Sequence, residues 1–199
     1  MNKTSIRMIM LVLAAAAGFQ VQAQTAPAAP AGDQPLSMKY DAVANDIPFA
    51  PLKNACAIRM LPVVDARPNK ETLGANFGAA LLSGDAAAWS ADALQNLSQF
   101  GFKVETIKVA DGRPGLTLLP QITRAYTWQI GVKLFGTVVV KVDYLKPDGS
   151  VESKTYRASG NKINMWGADY EFMTTLNYAF NNLLRTMASD VEKRCAKQA

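Results

Sequence analysis

Apolar residues recur along the chain with two different periods, and the helical period is clearest near the C-terminus. From Phe172 onwards they return every three or four positions, which predicts one long amphipathic helix. Asn177 and Asn181 fall on the opposite face, where we expect solvent. The predicted buried stripe comprises Phe172, Leu176, Ala179, Phe180, Leu183, Met187, Val191 and Cys195.

A second, shorter helix is predicted from the same spacing between residues 85 and 102. Trp89, Ala93 and Leu97 lie three or four positions apart and define its apolar stripe. Asp85 is a suitable N-cap, and Gly101 stands where a left-handed C-cap is expected.

The remaining apolar runs have the shorter period or the β-branched composition of strands. Two of them flank the first helix, and three follow it closely enough to form an antiparallel meander. In the first meander strand, a period of two places Leu118, Ile122, Tyr126, Trp128 and Ile130 on one face. The five predicted strands lie within residues 55–67, 103–109, 116–130, 136–145 and 153–160.

This order of elements predicts an α+β fold. We expect a single domain with a mixed, mostly antiparallel sheet, in which the three-stranded meander and its neighbours are packed on one face by two α-helices. The C-terminal helix is the longer of the two.

The first fifty residues have a different character. Residues 1–23 carry two basic residues, a short apolar run and a small-residue ending at Ala23, which together predict a cleaved signal peptide. A retained membrane anchor is the alternative. Residues 24–48 are rich in Ala and Pro and predict a disordered linker, and residues 49–199 form the domain. We therefore expect a periplasmic protein, with association at the outer membrane as the alternative to a free form.

Composition excludes several kinds of chemistry. The chain contains no histidine, which rules out Ser-His-Asp and Cys-His nucleophile systems and histidine metal sites. The formal net charge is +5, and removal of residues 1–23 lowers it by two, which is weak evidence for a polyanionic partner. We expect no cofactor and no metal.

The two cysteines, Cys56 and Cys195, stand at opposite ends of the predicted domain. An exported protein with an even number of cysteines favours a disulfide, and two free buried thiols are the alternative. The phase of the last helix turns Cys195 toward the first strand, so we expect Cα atoms less than about 7 Å apart.

The stretch VVDARPNKETLG, residues 63–74, places an acid and a base two positions apart at the end of a strand. Asp65 and Arg67 point to the same side, which favours a structural ion pair. Glycan cleavage would require a second carboxylate nearby. Glu71, Asp143 and Asp169 are candidates, but their spacing does not connect them.

The segment 131–136, GVKLFG, is unusually apolar for a hairpin tip. If Val132, Leu134 and Phe135 are exposed, they form a patch for a protein partner or a membrane surface. The alternative is that the strands extend through the segment and bury it. The meander also interleaves Lys and Arg with aromatic residues, but predicted export argues against nucleic acid as a partner.

Several of these segments together resemble the YajG-like envelope lipoproteins of Gram-negative bacteria. The resemblance covers about residues 54–192 and depends on VVDARPNKETLG, RAYTW, PDGSVESKTYRASG and NNLLRTMASDV. It implies an envelope protein with no established catalytic residues. This chain lacks the lipidation cysteine of that family. The motif residues that match are Asp65, Arg67, Gly74, Tyr156, Arg157 and Ala158.

Three functions remain as hypotheses. The first is a non-catalytic envelope accessory protein that binds another envelope protein, through a sheet edge or the segment 131–136. The second is binding of a lipid or small hydrophobic ligand between sheet and helices, as an auxiliary part of envelope transport. The third is a carboxylate-based hydrolase. The sequence does not indicate the oligomeric state.

Overall fold

The computed structural model describes residues 34–42, 48–146 and 148–197. The predicted signal peptide, residues 1–23, and residues 24–33 of the predicted linker lie outside these ranges, so both remain predictions. The described chain forms eight strands and two α-helices, together with a short 3₁₀ helix at Asn96–Phe100. The strands are β1 (Ala57–Met60), β2 (Val64–Asp65), β3 (Thr72–Asn76), β4 (Ala79–Leu82), β5 (Lys103–Thr106), β6 (Leu116–Ile130), β7 (Lys133–Leu145) and β8 (Val151–Ile163), and the helices are α1 (Ala86–Gln95) and α2 (Asp169–Cys195).

The main sheet confirms the predicted α+β class. Its strand order is β5-β1-β6-β7-β8, with β2 pairing beside β6. The meander β6-β7-β8 is antiparallel, whereas β1 and β2 pair parallel with β6. The first predicted strand is divided in two, because β1 ends before Leu61–Pro62 and β2 begins at Val64. The hairpin β3-β4 forms a separate two-stranded sheet that the sequence pattern did not predict.

Both helices begin and end close to the predicted positions. The side chain of Asp85 accepts a hydrogen bond from the Ala88 amide at 2.9 Å and caps α1, and Gly101 adopts the left-handed conformation with φ +94°. Trp89 of α1 is fully buried and packs edge-on against Phe180 of α2, with ring centroids 5.0 Å apart. The two helices therefore share one core over the same face of the sheet.

A β-bulge changes which residues of β6 face the core. The register with β7 shifts between Ile122 and Arg124, so side chains beyond it point to the opposite face. Leu118 and Ile122 are buried as predicted. The prediction for the second half of the strand is wrong: Ala125 and Thr127 face inward, and Tyr126, Trp128 and Ile130 face outward.

The helix α2 lies against the meander at a pair of glycines. Gly136 of β7 and Gly160 of β8 are cross-strand partners directly beneath the helix. A Cβ atom at Gly160 would lie 2.5 Å from the Cβ of Tyr178 and 2.6 Å from the backbone nitrogen of Ala179. A Cβ atom at Gly136 would lie 2.9 Å from the carbonyl oxygen of Thr175. Only glycine at both positions allows this close approach.

The described N-terminal segment runs along α2 from its first turn to its last. Asn177 donates to the carbonyl of Lys39 at 3.1 Å, and Asn181 to that of Ala42 at 3.1 Å. The amides of Lys53 and Asn54 donate to Glu192.

The sequence predicts a disordered linker over residues 24–48, and for residues 34–42 this packing differs from that expectation; residues 24–33 and 43–47 lie outside the described residues. Leu36 is buried and Tyr40 packs against Phe180, because apolar side chains return at these positions after the Ala/Pro-rich residues. It also explains why Asn177 and Asn181 are buried rather than exposed.

The predicted disulfide is present. Cys56 and Cys195 are bonded, with Cα atoms 5.6 Å apart, and the prediction that they lie within bridging distance is confirmed. The bond joins the residue before β1 to the last residue of α2.

Replacing Gly160 by alanine is expected to lower the free energy of unfolding by about 2 kcal/mol or more, because the added methyl group meets the backbone of α2. Guanidinium denaturation at constant pH measures this. Thr155→Ala, on the exposed face of the same strand, is the control and should change that free energy by less than about 0.5 kcal/mol. Equal losses in the two variants would contradict the close-packing account.

Reduction of the Cys56–Cys195 bond is expected to lower the free energy of unfolding by about 2–5 kcal/mol, because the bond restrains a very long loop in the unfolded chain. The measurement is thermal unfolding with and without dithiothreitol. A Cys56→Ser/Cys195→Ser double variant should unfold at the same lowered temperature in both conditions. An unchanged melting temperature after complete reduction of the native protein would show that the bond does not contribute.

Candidate functional site

Asp65 and Arg67 form a structural ion pair rather than an open reactive group. The Arg67 guanidinium binds both carboxylate oxygens of Asp65, at 2.9 and 2.8 Å. It also donates to the hydroxyl of Ser83 at 3.0 Å, which ties the loop after β2 to the end of β4. Burial pushes the pKa of Asp65 upward, but the hydrogen bonds from Arg67 outweigh it and the pKa lies below its ordinary value. A carboxylate held in its charged form is a poor general acid.

The motif residue Gly74 also has a structural role. Its φ is +135°, and a Cβ atom there would collide with the carbonyl oxygen of Thr127. The hydroxyl of Thr127 donates to the carbonyl of Leu73 at 3.0 Å. The stretch from residue 63 to residue 74 therefore positions the β3-β4 hairpin against the inner side of β6.

The candidate carboxylates have separate surroundings. Asp143 accepts hydrogen bonds from Lys141, Gln121 and Ser153 on the outer face of the sheet. Asp169 is the first residue of α2. In residues 34–42, 48–146 and 148–197, no hydrogen bond joins two of the four acids considered for hydrolysis, and no cluster of acidic or cysteine side chains is arranged to hold a metal ion.

Tyr156 belongs to a buried polar network between the meander and α2. Its hydroxyl lies 2.6 Å from that of Tyr144 and donates to Asp190 at 2.6 Å. Asp190 also binds Lys154 at 2.9 Å and Arg194 at 3.3 Å. Burial raises the pKa of Tyr144 to about 12 and, with the neighbouring Tyr144 and Asp190, raises that of Tyr156 as well. These groups hold the C-terminal half of α2 on the sheet.

The sequence allows the segment 131–136 to be either an exposed apolar patch or buried in extended strands, and its residues differ in this respect. Val132 is 67% exposed at the hairpin turn. Leu134 is fully buried because β7 begins at Lys133 and its even-numbered residues face the helices. Phe135 is half-buried on the opposite face, where it pairs with Trp128 of β6. Leu134 therefore cannot belong to an exposed patch.

Phe135 instead belongs to an aromatic row on the face of the sheet that the helices do not cover. Its ring stacks on Trp128 at 5.4 Å between centroids and 12° between planes. Trp128 in turn stacks on Tyr126 at 6.2 Å and 19°. Tyr126 is 47% exposed.

Two arginines adjoin this row. Arg124 of β6 and Arg157 of β8 are both lateral neighbours of Val139 in β7, so all three side chains point to the uncovered face. Both arginines are exposed. Among the described residues, neither guanidinium has an ion-pair partner. We call the set Tyr126, Trp128, Phe135, Arg124 and Arg157 the outer-face site.

The space between sheet and helices is filled by side chains, including Trp89, Phe172, Phe180 and Tyr144. Surface clefts do occur. One of about 440 Å³ lies between residues 34–39 and the first turns of α2. The described core therefore gives no support to a lipid held between the two layers.

No family model matches the chain, and no curated protein matches it. Its fold is similar to that of a Xanthomonas campestris protein of the DUF330 family, at a TM-score of 0.52 and 10% identity over 77% of this chain and 96% of that one. A hypothetical protein of Chlamydia trachomatis is similar at a TM-score of 0.45 and 13% identity, over 72% of this chain and 99% of that one. A minor lipoprotein of Acinetobacter baumannii is similar at a TM-score of 0.39 and 9% identity, over 72% of this chain and 95% of that one.

The first of these similarities shows a shared fold with a bacterial protein and nothing further, because the identity is so low. The other two have TM-scores below 0.5, and we draw no argument from them. The resemblance to the YajG-like family therefore stays a prediction from short motifs. In the described part of the chain, no helix has both the length and the apolar character needed to cross a bilayer.

The network around Tyr144 predicts a loss of stability in alkali. The unfolded tyrosine ionises near pH 10, whereas the folded one keeps its proton to about pH 12, so the free energy of unfolding should fall as pH rises through this window. The expected slope is about 1.4 kcal/mol per pH unit for each retained proton.

Tyr144→Phe should flatten this alkaline slope, and Tyr170→Phe, at an exposed position, should leave it in place. Urea denaturation from about pH 9 to about pH 12, the range of this titration, provides the measurement. A slope that persists in Tyr144→Phe/Tyr156→Phe would exclude the network as its source.

Proposed function

We propose that this chain is a non-catalytic accessory protein of the bacterial envelope that binds another protein through the outer-face site. The observation that carries the proposal is the stacked row Tyr126–Trp128–Phe135 beside two exposed arginines on an uncovered sheet face. Tyr, Trp, Phe and Arg are the residues most enriched at protein interfaces, and Trp, Tyr and Arg dominate their binding energy.

The site is preorganised for binding. The three rings stack on paired strands and adjoin a cross-strand contact in which the hydroxyls of Thr137 and Ser159 lie 3.0 Å apart. Aromatic side chains that are already ordered lose little conformational entropy when a partner covers them. The bulge at residues 122–124 is what turns Tyr126 and Trp128 to this face, and bulges often re-aim side chains at binding sites.

The charge of the site favours a partner with an acidic surface. Arg124 and Arg157 flank Val139 and can each bind a carboxylate by two parallel hydrogen bonds. The lysines of the meander contribute less, because Lys141 is paired with Asp143, and Lys154 and Lys162 are paired with Asp190 and Glu171 of α2 on the helix side. Tyr144 and Tyr156 are buried on the helix side, so they cannot stack on the bases of a nucleic acid.

The test uses a photo-cross-linking amino acid at Tyr126 in the native host, with Val109 as the matched position. We expect a discrete protein adduct from position 126 that is absent from position 109, and that disappears when Arg157→Glu is added. The partner protein identified in the adduct is then purified separately in its free form. Its affinity for the unmodified chain is measured by calorimetry.

Arg157→Glu is expected to weaken that affinity by about tenfold or more, and Trp128→Ala by a similar factor, because both residues are of the type that dominates interface energy. Thr155→Ala on the same face is the control and should leave the affinity unchanged. Binding of the purified partner that is insensitive to Arg124, Arg157 and Trp128 would refute the proposed site. An adduct seen equally from positions 126 and 109 would also contradict it.

A further inference from the structure

A second apolar surface lies at one end of the domain, beyond the outer-face site. Its side chains are between 58% and 79% exposed, although all are large and apolar or aromatic. We call it the tip cluster, and it comprises Phe77, Ile130, Val132, Met165, Trp166 and Tyr170.

The tip cluster is assembled from three connections and the first turn of α2, which meet at this end. The amide of Asn164 donates to the carbonyl of Val132 at 2.8 Å, which joins the loop after β8 to the β6-β7 turn. The side chain of Asn76 donates to the carbonyl of Gly167 at 2.7 Å. The ring of Phe77 packs over Gly167, where a Cβ atom would lie 2.7 Å from it. The first turn of α2 follows directly and carries Tyr170.

The loop that carries Met165 and Trp166 is held by a fully buried carboxylate. Glu171 accepts hydrogen bonds from the amides of Met165 at 2.9 Å, Trp166 at 3.0 Å and Ala168 at 3.3 Å. Lys162 lies 3.6 Å from the same carboxylate. The backbone is therefore fixed while its two large apolar side chains point into solvent.

Phe77 is held outward by the turn between β3 and β4. Its φ of +46° is unusual for a residue with a side chain. Phe77 and Gly78, whose φ is +87°, are the two central residues of the β3-β4 hairpin, and a two-residue turn of this kind requires positive φ at both positions. The tip cluster is therefore a maintained surface rather than a frayed end.

The N-terminal part of the chain joins the domain at this same end. Residues 34–39 form one wall of a cleft whose other wall includes Asp169, Tyr170 and Met173 of α2. From Lys39 the described segment follows α2 toward its C-terminus, because Asn177 donates to the carbonyl of Lys39 and Asn181 to that of Ala42.

We propose that the tip cluster docks on a phospholipid bilayer and inserts its apolar side chains into the interfacial region. Trp and Tyr prefer this region because one end of each side chain is apolar and the other is polar. Protruding side chains on separate turns can enter between lipid headgroups. Exposed Lys39 and Lys133 lie beside the cluster and can contact lipid phosphates. This surface would place the outer-face site at a fixed height above the membrane.

The test uses protein recovered from the periplasm after export, with its N-terminus determined by mass spectrometry. Co-sedimentation is measured with vesicles of phosphatidylethanolamine and phosphatidylglycerol, and with vesicles of phosphatidylcholine alone. Trp166→Ser and Val132→Ser should each weaken binding, the tryptophan change by about tenfold or more. Val109→Ser is the matched control, because Val109 is 75% exposed on a different loop, and it should bind like the unmodified chain.

Tryptophan fluorescence provides an independent measurement. Addition of vesicles should shift the emission of the unmodified chain to shorter wavelength, and Trp166→Phe should lose most of this shift while it still binds. Trp89 is buried and keeps its emission in all variants, so it also reports whether each variant is folded.

Absence of binding to both vesicle types would overturn the proposal, as would equal binding of Trp166→Ser, Val132→Ser and Val109→Ser. A dimer that dissociates in Trp166→Ser without vesicles would assign the surface to a second copy of this chain instead. Arg157→Glu should leave vesicle binding unchanged, so failure of the membrane proposal is distinguishable from failure of the protein-binding proposal.

Discussion

The contact between α2 and the glycine pair of the meander is the constraint on which the described structure depends. Because Gly136 and Gly160 have no side chains, the helix backbone lies directly on β7 and β8. This brings the apolar stripe of α2 into the core and aligns Asp190 with the hydroxyl of Tyr156. It also brings Cys195 to bonding distance from Cys56. Displacement of the helix would therefore disturb the core, the polar network and the disulfide together.

One consequence of this packing is an asymmetric sheet. Both helices lie on one face of the sheet. On the other face, the loop between β5 and β6 covers the side near β1, where the carbonyls of Arg113 and Pro114 accept hydrogen bonds from Arg59. The middle and far strands of the meander are left uncovered. An antiparallel sheet can expose one face to water if that face is polar. The uncovered face carries the polar residues Thr155 and Ser159. One end of it carries Trp128 and Phe135, whose exposure to water is unfavourable.

The elements with a strong period were predictable from the sequence. The stripe of α2, the cap at Asp85 and the three meander strands all depend on local spacing, which one sequence records directly. The β3-β4 hairpin was missed because its two short strands, TLGAN and AALL, contain one β-branched residue, Thr72, and lack the pattern of a strand. Residues 34–42 fall within the predicted linker because the Ala/Pro-rich composition of residues 24–48 outweighs the isolated apolar residues Leu36 and Tyr40.

The outer-face site was missed for a different reason. Its position depends on the bulge in β6, where the hydroxyl of Thr123 donates to the carbonyl of Val139 at 3.2 Å. Neither Gly nor Pro marks this position, so a simple period of two assigned Tyr126 and Trp128 to the core. Side chains as large as Tyr126 and Trp128 would not fit on the inner face. That face is occupied by the small residues Ala125 and Thr127, which leave room for the hairpin at Leu73 and Gly74.

The two exposed surfaces are continuous along β6, and this continuity links the proposed roles. Trp128 belongs to the outer face, and Ile130 lies two residues further along the same side of the strand, at the tip. The rigidity of the paired strands fixes the distance between them. A protein partner on the sheet face would therefore meet this chain at a defined orientation to a membrane beneath the tip. Such an arrangement requires neither a catalytic group nor an internal ligand cavity, and it accounts for large apolar side chains that the core does not use.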